Sequence, residues 1–352
     1  MDFLKKILLP LLIAFSSLGC QMGYLFKSAY SQVALLNARV PIDEALKDPN
    51  LTAEEKSKLE LTLRARHFAS QELGLKVDKN YSSFVKLDRP YVSYAISASP
   101  KWKLESYRWS FPIVGQVPYK AYFKESDALE EEAELKNQDY DTYVRGVTAY
   151  STLGWFNDPL LSSMLRGREA YLVNTIIHES VHATLFIKSE ADFNERLATF
   201  LGNKGMELFY QKTEGANSAT LKAVLFDSED DQIFSQFISR ELKQLEQWYQ
   251  QVTPEQKTEE IRQQRIAQIQ KNFESQILPK LKSHSMENFG KVRLNNARLV
   301  VYKTYMQDLK DFEKLYVLTG NNFSEFMKVC RGLENHKNPN EGLKELIASY
   351  KK

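Results

Sequence analysis

Residues 167–202 have the sequence GREAYLVNTIIHESVHATLFIKSEADFNERLATFLG, and this stretch decides the fold. At its centre is HESVH, an HExxH sequence that begins at His178 and ends at His182. The residues before it, 168–177, contain no Pro or Gly and carry many apolar side chains, which predicts a largely buried helix. Residues four apart on a helix lie on one face, with Cβ atoms about 5–6 Å apart. Both imidazoles are therefore placed to bind one metal ion.

A catalytic zinc site needs a third protein ligand and a fourth position for water. The candidate ligand is Glu195, which follows a polar break at 188–192 that predicts a turn into a second, antiparallel helix. Glu190 is the reserve candidate. In an alternative interpretation, Asp192 and Glu195 form a helix capping box without a metal.

The motif has a second alternative, in which His178 and His182 are ordinary helix histidines and Glu179 is exposed. The apolar centre of the helix disfavours it, because two imidazoles and a carboxylate are costly to bury without a partner. A metal ion supplies that partner.

These residues predict a zinc hydrolase. Zn²⁺ held by His178, His182 and Glu195 would lower the pKa of its bound water and polarise a substrate carbonyl. Glu179 would act as general base and pass the proton to the leaving amine, so peptide hydrolysis is the expected reaction. Many such enzymes use a tyrosine to stabilise the oxyanion, and Tyr150 is the candidate in this site, with Tyr305 as a second one.

Composition limits the class of protein. The chain has 352 residues, 43% of them hydrophobic, which is enough for one large domain or two closely packed ones. Its net charge is only +2, and basic and acidic residues are interspersed. The sequence therefore predicts no nucleic-acid partner.

The first 20 residues have the features of a lipoprotein signal peptide. Two lysines precede an apolar segment too short to span a bilayer, and the segment ends in Ser17-Leu18-Gly19-Cys20, which resembles a bacterial lipobox. Cys20 is thus the predicted lipidation site, and a plain signal peptide cut nearby is the alternative. Gln21 is not the Asp typical of inner-membrane retention. We therefore expect an exported protein anchored in the outer membrane on its periplasmic side.

The rest of the chain alternates between helical and strand patterns. Residues 23–74 are predicted helical, with a capping box beginning at Thr52, and residues 81–123 are rich in strand-forming residues. Strand composition returns at 143–155, just before the predicted metal-binding helix. An edge strand at this place would pair with the substrate backbone, and Gly146 and Gly154 would allow the two backbones to approach closely. A charged helical hairpin is predicted at about 228–282, and a polar tail after Gly332.

Together these patterns predict a mainly helical α+β fold, a zincin-like metallopeptidase with a small antiparallel sheet and a charged hairpin. Residues 21–352 would form the peptidase domain after a signal peptide at 1–20. The only other cysteine, Cys330, is predicted to be a small buried hydrophobic residue.

The chain also resembles the predicted zinc aminopeptidase family of bacteria, from about Arg64 to Ala297. The stretches that carry the resemblance are HESVHATLF (178–186), FNERLATFLG (193–202), AYSTLGWFNDP (149–159) and FPIVGQVPYKAYF (111–123). The resemblance implies the same metal and catalytic roles for the HExxH residues and Glu195. The Asn-Glu-x-x-Ala spelling of residues 194–198 is also similar to the third-ligand segment of gluzincin aminopeptidases.

The sequence departs from the gluzincin pattern at two points. It lacks the Gly-Ala-Met-Glu-Asn segment whose acidic residue binds a free amino terminus, and Asp158, Glu190 and Asp141 are the possible replacements. Thermolysin-like sites carry an Asp four residues after the glutamate ligand, and this chain has Thr199 there.

Two alternative functions follow. One is a non-catalytic lipoprotein that binds zinc or another ligand. The other is an endopeptidase or a hydrolase of cell-wall peptides.

Overall fold

The computed structural model describes residues 23–77, 79–111, 115–149, 157–283, 286–305 and 309–350. The helices of these ranges, in chain order, are α1 (23–37), α2 (Ile42–Ala45), α3 (Ala53–Gln71), α4 (Glu125–Asn137), α5 (Glu169–Thr184), α6 (Ala191–Glu214), α7 (Ala219–Gln251), α8 (Glu259–Gln276), α9 (Asn296–Tyr305), α10 (Lys310–Leu318), α11 (Phe323–Arg331) and α12 (Pro339–Ser349). The strands are β1 (Val40–Pro41), β2 (Ser83–Val85), β3 (Ser93–Pro100), β4 (Trp109–Phe111), β5 (Gly115–Val117), β6 (Lys120–Tyr122), β7 (Tyr140–Val147) and β8 (Leu160–Leu161). The architecture is mainly helical α+β, as predicted.

The strands of the described ranges form three small sheets. One is antiparallel with the order β6-β3-β7, and β4 and β5 form an antiparallel pair. The third has the order β1-β2-β8, and its β2–β8 pair is parallel, which the sequence did not indicate.

The central strand β3 is buried on both faces. On one face Ile96 and Ala98 pack with Leu135 of α4. The other face carries the alternate residues Ser97 and Ser99, whose small side chains let α9 lie close to the sheet. This leaves β7 at one edge of the sheet.

The main hydrophobic core joins α3, α5 and α6. Helix α3 begins with the predicted capping box, in which Thr52 accepts from the Glu55 N–H and the Glu55 carboxylate accepts from the Thr52 N–H. Its buried face packs against α5, and α5 packs against α6. The helix that carries the HExxH sequence therefore lies between two others.

Helices α7 and α8 are the predicted charged pair, but α7 begins well before residue 228. The short turn Pro254–Gln256 follows Thr253 between the two helices, and α8 begins after Thr258, which caps it. The inner faces of the pair carry a second core. Arg262 of α8 is 1% exposed and donates to both oxygens of Asp141 on β7, at 2.5 and 3.1 Å. This buried ion pair attaches the helix pair to the sheet.

The predicted polar tail after Gly332 is wrong. Helix α12 begins after Asn338, which caps it, and buries Leu343 and Ile347 against α10. The apolar residues Leu343, Leu346 and Ile347 extend over little more than one turn, a stripe too short to be distinguished from a polar segment without knowledge of its packing partner. Cys330 of α11 is fully buried, as predicted, and burial raises the pKa of its thiol.

Among the described residues, no helix has both the length and the apolar character needed to cross a membrane.

Candidate metal centre

The two histidines of the HExxH sequence converge. Both lie in α5, and their Nε2 atoms are 3.1 Å apart with the rings nearly perpendicular. Helix α5 ends two residues after His182, where Leu185 takes an extended conformation. The chain therefore turns immediately beyond the motif.

The turn returns Glu195 to the histidines. Its Oε2 lies 3.6 Å from Nε2 of His178, and its Oε1 lies 3.6 Å from Nε2 of His182. The structure thus brings together all three predicted ligands in a group that could hold a metal ion. The alternative capping box does not form, because Glu190 occupies the N-cap position of α6 and Asp192 lies in its first turn.

Asn194 holds this turn in place. Its side chain is 1% exposed, accepts from the Ile187 N–H at 2.9 Å and donates to the Ile187 carbonyl at 2.7 Å. One buried amide therefore satisfies both backbone groups of a turn residue. Because Asn194 directly precedes Glu195, the same bonds fix where the carboxylate leaves α6.

Two glycines allow α6 to approach α5 closely. A Cβ at Gly202 would lie 3.3 Å from Cβ of His178, and one at Gly205 would lie 2.8 Å from a methyl carbon of Ile177. Larger residues would hold α6 away from the histidines. The sequence shows these glycines, but not the helix that they face.

The charges of the site suit a metal ligand set. Burial and the adjacent His178 lower the pKa of His182 to about 4, so this imidazole stays neutral near pH 7. Burial raises the pKa of Glu195, but both histidines and Arg145 outweigh it and the net shift is downward, which keeps the carboxylate ionised. Burial lowers the pKa of His178, but the hydrogen bond to Glu195 and the charges of Glu179 and Glu195 outweigh burial. The net shift of this pKa is upward. A neutral imidazole and an ionised carboxylate are the forms that bind metals.

The distances also fit a tetrahedral ion. Zinc bonds of about 2.0–2.2 Å at tetrahedral angles place ligand atoms about 3.3–3.6 Å apart, and the three observed separations are 3.1, 3.6 and 3.6 Å. Among the described residues, Nδ1 of His182 has no hydrogen-bond partner. Thr199 therefore does not hydrogen-bond to this ring.

Two tyrosines that the sequence analysis missed lie near Glu179. Burial raises the pKa of Tyr119 to about 12, and the charges of Glu195 and Glu179 add to the shift while Arg145 opposes it. Burial and the charges of Glu179 and Asp158 raise the pKa of Tyr81 well above its usual value. The only sequence signal for Tyr119 was its place in residues 111–123, one of the stretches that carry the family resemblance.

Three predicted residues cannot be placed. Tyr150 and Cys20 lie outside the described residues, and so does the side chain of Tyr305. Of the candidates for binding a substrate amino terminus, Asp141 is bonded to the buried Arg262 and is no longer a candidate.

The predicted substrate-binding strand is β7, at the edge of its sheet, and residues 150–156 lie outside the described part. Arg145 of β7 lies close enough to lower the pKa of Glu195. A Cβ at Gly146 would lie 2.3 Å from the ring of Tyr91. This glycine makes room for an aromatic side chain of the protein itself.

The fold and the site together define an α+β protein with a His–His–Glu cluster that could hold a metal ion. The chain belongs to the family described as "Putative aminopeptidase", whose sequence model matches residues 23–345. Membership of this family suggests a peptide hydrolase. No curated protein and no solved structure matches the chain.

Proposed function

We propose that this protein is a zinc-dependent peptide hydrolase with a zincin-like site, and that it acts as an aminopeptidase. The observation that supports this most strongly is the convergence of His178, His182 and Glu195 within metal-binding distance of one another. Family membership supports peptide substrates. Zn²⁺ bound there would make a water molecule more acidic and polarise the scissile carbonyl.

Glu179 is the proposed general base. It lies on α5 directly after a ligand histidine, so its carboxylate points one step around the helix from the ligand face. From there it takes the proton of the attacking water and delivers it to the leaving amine. The proximity of Tyr119 and Tyr81 supports this role, since the charge of Glu179 contributes to the raised pKa of both.

Tyr119 is the proposed oxyanion donor. With its pKa raised to about 12, the phenol keeps its proton near neutral pH and can donate a hydrogen bond to the developing negative charge. Changing Tyr119 to Phe should lower kcat about 10²- to 10³-fold with little change in zinc content. Tyr107→Phe, in the cluster between α4 and the sheet, is the control and should retain activity.

The decisive experiment compares the wild type with Glu179→Gln and Glu169→Gln. Glu169 is an exposed residue in the first turn of the same helix and serves as the control. All three proteins should retain about one zinc per chain. The wild type and Glu169→Gln should cleave peptides with a free amino terminus, and Glu179→Gln should be about 10²- to 10⁴-fold slower.

The outcomes separate the alternatives. Equal activity of Glu179→Gln and the wild type would refute the catalytic proposal. Zinc bound without cleavage of any substrate would favour the non-catalytic binding protein. Cleavage of amino-blocked peptides as fast as free ones would favour the endopeptidase.

We also propose that the protein is exported and anchored to a membrane through a lipid on Cys20, as its lipobox-like sequence indicates.

A further inference from the structure

Helix α1 presents a stripe of large apolar side chains to solvent. Phe26, Tyr30 and Val33 are 69%, 78% and 55% exposed. A helix turns about 100° per residue, so these three residues lie within about 60° of one another. The small residues Ala29 and Ala34 flank them and are also exposed. A surface helix normally presents its polar face to water, so this orientation needs an explanation.

The opposite face of α1 is fixed to the protein. The Tyr24 hydroxyl donates to the Ala121 carbonyl at 2.9 Å, and its ring meets that of Tyr122 at 5.3 Å. Leu35 is 6% exposed and belongs to the main core. These contacts determine which face points outward, so the apolar stripe cannot turn inward by rotation of the helix.

The charges of α1 suit a lipid surface. Residues 23–37 contain no acidic residue and one basic residue, Lys27, which lies 3.5 Å from Asp127 and is 73% exposed. An interfacial helix buries its apolar face about 5–10 Å deep at the boundary of headgroups and acyl chains, and anionic lipids disfavour acidic residues there.

The predicted lipid attachment site is close to this stripe. Cys20 precedes Gly23 by three residues, which in any conformation reach at most about 11 Å. Acyl chains on Cys20 would therefore hold the start of α1 at the membrane surface. Val317 of α10 is an exposed large apolar residue that is distant from Cys20 in the sequence.

We propose that α1 lies in the membrane interface, with Phe26, Tyr30 and Val33 inserted among the lipids next to the acylated Cys20. The anchor and the helix together make two attachments, and the contacts of Tyr24 and Leu35 then give the whole domain one orientation relative to the bilayer. This proposal rests on the lipidation of Cys20 and is independent of the zinc chemistry.

The test uses the full chain, purified after expression in a bacterial host and reconstituted in phosphatidylethanolamine–phosphatidylglycerol vesicles. Val33→Cys is compared with Val317→Cys, because the two valines are 55% and 56% exposed. A membrane-impermeant maleimide reports the rate of labelling, normalised to the total obtained in sodium dodecyl sulfate. The wild type is the blank, since Cys330 is fully buried and an acylated Cys20 has no free thiol.

We expect the cysteine at 33 to react at least about tenfold more slowly than the one at 317, since lipid covers the interfacial face. Adding Phe26→Ser and Tyr30→Ser to Val33→Cys should restore fast labelling. Equal rates at the two positions would overturn the proposal. Disulfide formation between two chains through position 33 would assign the stripe to a second copy and would also overturn it. Recovery of the wild type in the soluble fraction with a reactive Cys20 would overturn it as well, without affecting the proposed hydrolase.

Discussion

Replacing Asn194 by alanine tests whether the turn between α5 and α6 positions the third candidate ligand. The substitution removes two hydrogen bonds, of 2.9 and 2.7 Å, and leaves the N–H and the carbonyl of Ile187 without their partner. The site is nearly inaccessible to water, which cannot easily replace the lost amide. Each buried polar group left unsatisfied costs about 1–3 kcal/mol, so the expected loss in unfolding free energy for the two groups is about 2–6 kcal/mol.

The same change should weaken metal binding. Asn194 is adjacent to Glu195, and residues that orient a ligand without touching the metal typically contribute a factor of about 10–100 in metal affinity. The assay is urea unfolding of the metal-free protein, followed by zinc titration of the folded protein against a competing chelator. Asn194→Asp serves as a second variant, because it keeps an acceptor for the Ile187 N–H but cannot donate to the carbonyl.

The two readouts together can refute the reasoning. If Asn194→Ala unfolds at the wild-type urea concentration and binds zinc with wild-type affinity, the turn does not depend on this amide. If stability falls while zinc affinity is unchanged, Glu195 is positioned by other contacts.

Three further substitutions test the packing around the site. Arg262→Met leaves Asp141 buried without its ionic partner, which should lower the unfolding free energy measured in urea by about 3–5 kcal/mol. Adding Asp141→Leu to the same chain should recover part of this loss. No recovery would contradict a dominant role for the ion pair. Gly205→Ala places a methyl group 2.8 Å from an isoleucine of α5 and should cost about 1–3 kcal/mol, whereas Gly167→Ala meets no atom within 4 Å and should change little. Burial and the adjacent carboxylates raise the pKa of Asp231 to about 7. The folded state therefore binds this proton more tightly than the unfolded state, and its contribution to stability falls as the pH rises from about 4 to about 7. Asp231→Asn should raise the unfolding free energy at pH 8 by about 2 kcal/mol or more relative to the wild type, and by much less at pH 4. An equal effect at both pH values would show that the carboxyl does not titrate in this range.

Several features could be predicted from the sequence because they depend on neighbours along the chain. The helical period places His178 and His182 on one face, and the Thr52 capping box involves residues three apart. The return of Glu195 could be predicted because a short polar segment between two helices leaves few paths for the chain.

Other features depend on contacts between distant segments. Gly146 contacts Tyr91, and Asp141 binds Arg262. In each pair the two residues are far apart in the sequence. Strand composition suggested close approach of a substrate to the glycine, and the aspartate was one possible group for binding a substrate amino terminus. Neither of the two observed contacts could be predicted without knowing which surfaces pack together.

The sequence by itself determined the helix of the HExxH sequence, the three candidate ligands and the mainly helical class, since periodicity and spacing encode these locally. Only the tertiary structure decided that Tyr119 comes within electrostatic range of Glu195 and Glu179, that α12 packs onto the core and that α1 exposes its apolar stripe. These outcomes depend on which faces of the elements meet, and a sum of contacts between distant residues determines that choice.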